Sequence, residues 1–103
     1  MINDKARFWT SKKDNTPYFC ILNNFLDGYK ATDKEVARRR VLGLNDFFEL
    51  YDDDDNKYYS GYANFENMYD REYDEFTILD MATADSGCTY MKTRDKNGKM
   101  TMV

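Results

Sequence analysis

Asp52, Asp54 and Asn56 fall at the first, third and fifth ligand positions of an EF-hand calcium loop. The pattern stops there. Lys57 stands where the loop needs its turn glycine, and Ala63 stands where it needs a bidentate Glu. Asp55 and Lys57 also have the Asp-x-Lys spacing with which a metal nuclease holds Mg²⁺ and steadies a developing oxyanion. With 19 acidic residues in 103, that spacing arises readily by chance. The chain has no histidine, which removes the commonest general base, the commonest metal ligand and the usual activator of a Ser or Cys nucleophile. None of Ser11, Ser60 and Ser86 sits in a Gly-x-Ser-x-Gly turn. Cys20 and Cys88 share no ligand spacing, and no basic neighbour is expected to lower the pKa of Cys88 in the tight loop Asp85-Ser86-Gly87-Cys88, so two free, unreactive thiols are expected. Neither a phosphate-binding glycine loop nor a dinucleotide fingerprint occurs. The chain is therefore expected not to be an enzyme and to carry no cofactor or dedicated metal site. Divalent-metal binding or catalysis at residues 52–56 is the remote alternative.

The carboxylates do stand out in their distribution. Residues 1–50 carry nine Lys/Arg against seven Asp/Glu, residues 51–76 two against nine, and residues 77–103 four against three, so almost all the acidity lies in one 26-residue block. The block also holds eight aromatics. Phe65, Tyr69, Tyr73 and Phe76 recur at helical spacing and read as core. Tyr58, Tyr59 and Tyr62 cannot all face inward on an alternating strand, so at least Tyr59 is expected at the surface. Asp52, Asp53, Asp54, Asp55, Tyr58, Tyr59 and Tyr62 are accordingly the candidate partner-binding residues. A smaller patch of opposite sign comes from Lys34, Arg38 and Arg39.

A length of 103 residues predicts one domain spanning the whole chain. Thr16 as N-cap, Pro17 at the first helical position and Gly28 as a stop predict a helix over 16–28, with Tyr18, Ile21, Leu22, Phe25, Leu26 and Tyr29 on its apolar face. Thr32 and Glu35 form a capping box that starts a second helix running to about Leu42, closed by Gly43. Val36, Ala37, Val41 and Leu44 define its apolar arc, which places Arg40 inside and Lys34, Arg38 and Arg39 outside. A hairpin is expected from residues 47–51 back through 57–62, a third helix over 65–75, and strands at 7–10 and 76–81. Asn97-Gly98 predicts a C-terminal hairpin between 88–93 and 99–103. The expected fold is α+β: two or three helices packed on a small antiparallel sheet that ends in this hairpin.

The longest apolar run is residues 18–22, too short to span a membrane, and the first five residues have no secretory-type apolar stretch; a soluble protein of a reducing cytoplasm is expected, the host cytoplasm if phage-encoded. A sequence pI near 4.8 argues against direct nucleic-acid binding. An extended strand rises about 3.3 Å per residue and a nucleic-acid strand carries a phosphate about every 3.4 Å of duplex axis, so aspartates in series match a phosphate ladder. The leading expectation is thus a small acidic protein-binding module, an inhibitor that occupies the basic cleft of a nucleic-acid-binding protein, comparable in size and composition to the DNA mimics of phages. The alternative is a structural or assembly subunit of a phage particle or other large complex, with self-association through its opposite charge patches.

Overall fold

Five consecutive apolar residues, 18–22, determine the centre of this fold, and all five are buried. A helix would bury one stripe of such a run and expose the rest. A strand covered on both faces buries every residue. The computed structural model, which describes residues 7–11, 13–26, 28–74, 76–82, 87–95 and 97–103, has a strand here, β2 (Pro17–Asn24), in place of the expected helix. Phe25 and Leu26, which completed the helical spacing, lie in the following turn and are 51% and 56% exposed.

The other strands are β1 (Arg7–Thr10), β3 (Tyr29–Lys30), β4 (Asp46–Tyr51), β5 (Lys57–Ala63), β6 (Tyr90–Arg94) and β7 (Met100–Met102). All pairings are antiparallel, in the order β1-β2-β5-β4-β6-β7, with β3 extending the β1 edge beside Asn23 and Asn24. Three short helices, α1 (Asp33–Val41), α2 (Phe65–Asp70) and α3 (Phe76–Ala82), complete an α+β domain whose seven-stranded sheet is larger than the sequence led us to expect. Both expected hairpins are present, β4–β5 and β6–β7, as is the strand at residues 7–10. Gly98 takes φ 81° in the second hairpin, a conformation that costs glycine little. The expected loop residues Asp85 and Ser86 lie outside the described residues. Among the described residues no helix is long and apolar enough to cross a membrane.

The sheet is packed on both faces. On one side Phe19, Ile21, Phe48, Leu50, Tyr59 and Met91 meet Met68 of α2 and Ile78 of α3. Burying a large apolar side chain such as Phe19 or Phe48 is worth about 1.5–3 kcal/mol, and both are fully buried with their rings 6.3 Å apart, edge to face. On the other side Cys20 and Leu22 meet Leu44, with Val36 of α1 and its C-cap residue Leu42 packed against them. Strand alternation thus assigns α1 and the α2–α3 pair to opposite faces.

The capping box of α1 forms as expected, with Thr32 Oγ1 accepting from Glu35 N. The phase of the helix differs. Gly43, at φ 75°, ends it, so Leu44 enters the core from the loop and is no guide to the helical arc. Val36, Arg39 and Leu42 face the sheet, while Arg40 is exposed and Val41 is 87% exposed. The single helix expected over 65–75 closes after Asp70, where Tyr73 N bonds back to Met68 O and Glu72 takes φ 65°; Glu75 lies outside the described residues. The strand expected over 76–81 is helix α3.

Candidate interaction surfaces

The four aspartates sit in the β4–β5 turn and do not extend into a ladder. Asp55 N bonds to Asp52 O, and Asp52 N bonds to Asn56 O, closing the turn. The Asp52 carboxylate is used inside it: Oδ1 accepts from Asp54 N and Asn56 N at 2.9 Å each, and Oδ2 accepts from Asn56 Nδ2. The Asn56 backbone bond is the main reason its pKa falls below the usual carboxylate value. Asp55, in the left-handed region at φ 64°, accepts a hydrogen bond from Tyr90 Oη, which pushes the Tyr90 phenol up to about 12. Asp53 and Asp54 point outward as exposed charges. The phosphate-like spacing required an extended chain, and that premise fails because two of the four carboxylates hold the turn together.

The tyrosines of β5 are equally committed. Tyr59 is buried, 6% exposed, against expectation. Tyr59 pairs with the core residue Leu50 and shares the inner face of β5 with Ala63, and a bulge then breaks the alternation: Tyr51 pairs with Lys57, so Tyr58 is an extra residue and turns toward the same core. Tyr58 packs half-buried against the same core cluster as Tyr59, and a hydrogen bond to Asp52 raises its pKa. Tyr62 lies on the opposite face, where the Arg39 guanidinium sits 3.7 Å above its ring. None of the three is an exposed contact tyrosine.

Exposed aromatics occur instead on α2–α3, among residues the sequence assigned to core. Tyr69, Tyr73 and Phe76 are 50%, 39% and 49% exposed. Tyr69 stacks on Phe65, and Tyr73 meets Tyr18 edge to face. Around them Glu66, Asp70, Glu72, Asp74 and Asp80 are all exposed, and none has an ion-pair partner among the described residues. Arg71, the cation of this stretch, is tied to Asp14 at 2.5 Å. Hydrogen bonds from Thr16 and Ser11, helped by Arg71, hold the Asp14 carboxyl down at about 2. The chain breaks between the two helices at residues 71–74, which the helical spacing over 65–75 does not signal, and helices of six and seven residues, each under two turns, leave these rings half-exposed. The seven residues of β5 separate this surface from the 52–56 turn, a distance of roughly 20 Å at about 3.3 Å per residue. The acidic block of the sequence is therefore two surfaces.

The expected basic patch also divides. Lys34 is exposed, but Arg38 lies 4.4 Å over the Phe8 ring and Arg39 over Tyr62, so both guanidiniums turn toward the sheet. Cys20 and Cys88 are free thiols, and burial pushes Cys20 up to about 11, away from reactivity at neutral pH. Among the described residues no group of three His, Cys, Asp or Glu side chains is placed to hold a metal ion. No model of a known family, no curated protein and no solved structure matches the chain.

Proposed function

We propose that this chain is a small binding module, without catalytic activity of its own, whose α2–α3 surface docks into the basic cleft of a nucleic-acid-binding protein and keeps nucleic acid out. The observation that carries the reading is the grouping of five exposed carboxylates, with no ion-pair partner among the described residues, with the half-exposed rings of Tyr69, Tyr73 and Phe76 on one side of the sheet. Aromatics supply contact area at low entropic cost, and the surrounding carboxylates select and steer a positively charged partner. Asp53 and Asp54 add a second, smaller acidic contact.

The test is displacement. The protein is used to capture partners from host lysate, and labelled DNA is then competed for each captured protein. Capture is expected to be lost in high salt and in a Glu66→Gln/Asp70→Asn/Glu72→Gln/Asp74→Asn variant. Should that variant still displace DNA as well as the parent does, the reading fails.

A second reading, an assembly subunit, is favoured by one observation: α1, net +2, and the acidic α2–α3 segment lie on opposite faces of one sheet, an arrangement suited to head-to-tail stacking of copies. Concentration-dependent growth of the particle in size-exclusion chromatography with light scattering, reversed by salt, would favour it.

A further inference from the structure

The strands of this acidic chain are net +3 and α1 is net +2, so the remaining residues carry −9. The fold thereby carries further a segregation of charge that the sequence begins with its acidic block at residues 51–76. Only two strand residues are carboxylates. Asp46 faces α2, where it accepts from Phe65 N, whereas Glu49 faces the α1 side, is ion-paired with Lys57 at 2.7 Å and accepts a hydrogen bond from the Tyr51 hydroxyl at 2.9 Å. That side of the sheet also receives Arg38, Arg39, Lys92 and Arg94.

We propose that the α1-side face of the sheet binds single-stranded nucleic acid, with Lys92 and Arg94 on the phosphates and the ring–cation stacks of β4, β5 and β6 beneath the bases. Phe48, Leu50 and Met91 point into the core, so Phe47, Glu49, Tyr51, Tyr90, Lys92 and Arg94 must point the other way. Because α1 packs on β2, the β4–β6 half of this face keeps half-buried rings and an exposed Arg94. Phe47 and Tyr62 are paired at 5.3 Å, and Arg94 lies over Phe47 at 4.8 Å. Farther along β4, Tyr51 and Tyr90 are stacked at 5.2 Å and 9°, with Lys92 4.7 Å from the Tyr51 ring. The two aromatic pairs are four residues apart, about 13 Å at roughly 3.3 Å per residue, a scale on which a sheet displays two or three bases in series.

A guanidinium lying flat on a ring keeps its N–H edge available, and its outer plane stacks a base as a ring does. Among the described residues neither Lys92 nor Arg94 has a carboxylate partner. Lys57 links this face to an adjoining groove: its ammonium lies 5.3 Å from the Phe25 ring, and Phe25, Asn23, Gly28, Tyr29 and Lys30 line a cavity of about 380 Å³. That groove offers a half-exposed ring, an amide and a cation to the next nucleotide.

The acidic α2–α3 surface lies on the far side of the sheet. Sheet and helix layers are about 10 Å thick, comparable to the screening length of about 8–10 Å near physiological ionic strength, so salt weakens the far carboxylates at this face, and of the carboxylates beside it Glu49 is paired with Lys57 and Asp55 accepts from the Tyr90 hydroxyl. Single strands fit better than duplex because rings on a sheet face gain nothing from bases that are already stacked and paired.

Fluorescence anisotropy with labelled oligothymidylate and oligouridylate tests this. Binding is expected, and it should weaken roughly tenfold between about 50 and 200 mM salt, from a slope of about −0.7 per neutralised phosphate. Lys92→Glu/Arg94→Glu is expected to lose at least about tenfold in affinity, and Phe25→Ala at least about fivefold, with unchanged circular dichroism in both. The α2–α3 charge variant should bind oligonucleotides as the parent does, which separates failure here from failure of the docking reading. No binding at about 50 mM salt, equal binding by Lys92→Glu/Arg94→Glu, or tighter binding of duplex would overturn the proposal. So would salt-sensitive self-association abolished by the same double variant, since the occupant of the face would then be a second copy.

Discussion

The guanidinium of Arg39 lies 3.7 Å above the ring of Tyr62, and its Nη1 reaches past the end of α1 to Leu44 O at 3.2 Å and Asn45 Oδ1 at 3.3 Å. One side chain thus fastens the helix to β5 and to the loop that follows it. Arg39→Ala is expected to destabilise the fold by about 1–2 kcal/mol in urea denaturation. Arg39→Lys should recover about half of that, because an ammonium keeps the charge but cannot stack flat and bridge two acceptors together.

Asp52 and its neighbours Asp53 and Asp54 are chemically alike and structurally different. Asp52 caps the turn through three hydrogen bonds, whereas Asp53 and Asp54 are exposed charges. Asp52→Ala is expected to lower stability measurably below the parent's, because two backbone N–H groups and an amide lose their acceptor. Asp53→Asn and Asp54→Asn should leave it within about 0.5 kcal/mol of the parent. Equal losses at all three positions in chemical denaturation would show that the turn does not depend on the Asp52 carboxylate.

The hairpins were legible because their signals are local: Asn97-Gly98 fixes one turn, and the polar run at residues 52–56 between apolar stretches marks the other. The α1 boundaries were legible for the same reason, through Thr32, Glu35 and Gly43. Strand β2 was misread because burial on both faces is a tertiary fact. Phe19 and Cys20, the two residues a helical face leaves out, are the evidence for a strand, and their weight appears only when both layers are known. The same holds for the candidate site. Layers on both faces of the sheet bury Tyr59 and a bulge turns Tyr58 to the same side, while a left-handed Glu72 separates α2 from α3 beside the exposed Tyr69, Tyr73 and Phe76; none of these leaves a mark in periodicity. The basic sheet face is invisible in sequence because Arg39, Lys57, Lys92 and Arg94 come from three elements far apart in the chain, α1, β5 and β6.

Gly61 on β5 faces the backbone of β2 with no room for a side chain. A Cβ built there would lie 1.9 Å from the carbonyl oxygen of Cys20 and 3.0 Å from the Cα of Ile21, backbone atoms that cannot turn aside. Gly61→Ala is therefore expected to cost about 3 kcal/mol or more or to prevent folding. Gly28→Ala meets no atom within 4 Å but sits at φ 80°, so its cost should be limited to about 1 kcal/mol of backbone strain. The two denaturation midpoints, compared with the parent, give the contrast directly, and a Gly61→Ala protein as stable as Gly28→Ala would mean that β2 and β5 are not in this register.

Stability should fall at both ends of the pH scale through different residues. Asp14 is held at about 2 against an ordinary 3.8, chiefly by the Thr16 hydroxyl, and Asp52 is shifted in the same direction. A depressed carboxylate stabilises the fold fully above its unfolded pKa, and the contribution is lost as pH drops from about 4 toward 2. Tyr51 and Tyr90 are shifted the other way, to about 12 from an ordinary 10.0: Tyr51 first by burial and then by Glu49, Tyr90 first by its bond to Asp55. A phenol raised in the folded state stabilises fully below about pH 10 and loses that contribution as pH climbs to about 12. Melting temperatures across both ranges should show Asp14→Asn with a shallower acid limb than the parent, and Tyr90→Phe with a shallower alkaline limb, each variant leaving the other limb unchanged. Curves parallel to the parent in both limbs would mean that neither hydrogen bond distinguishes the folded from the unfolded chain.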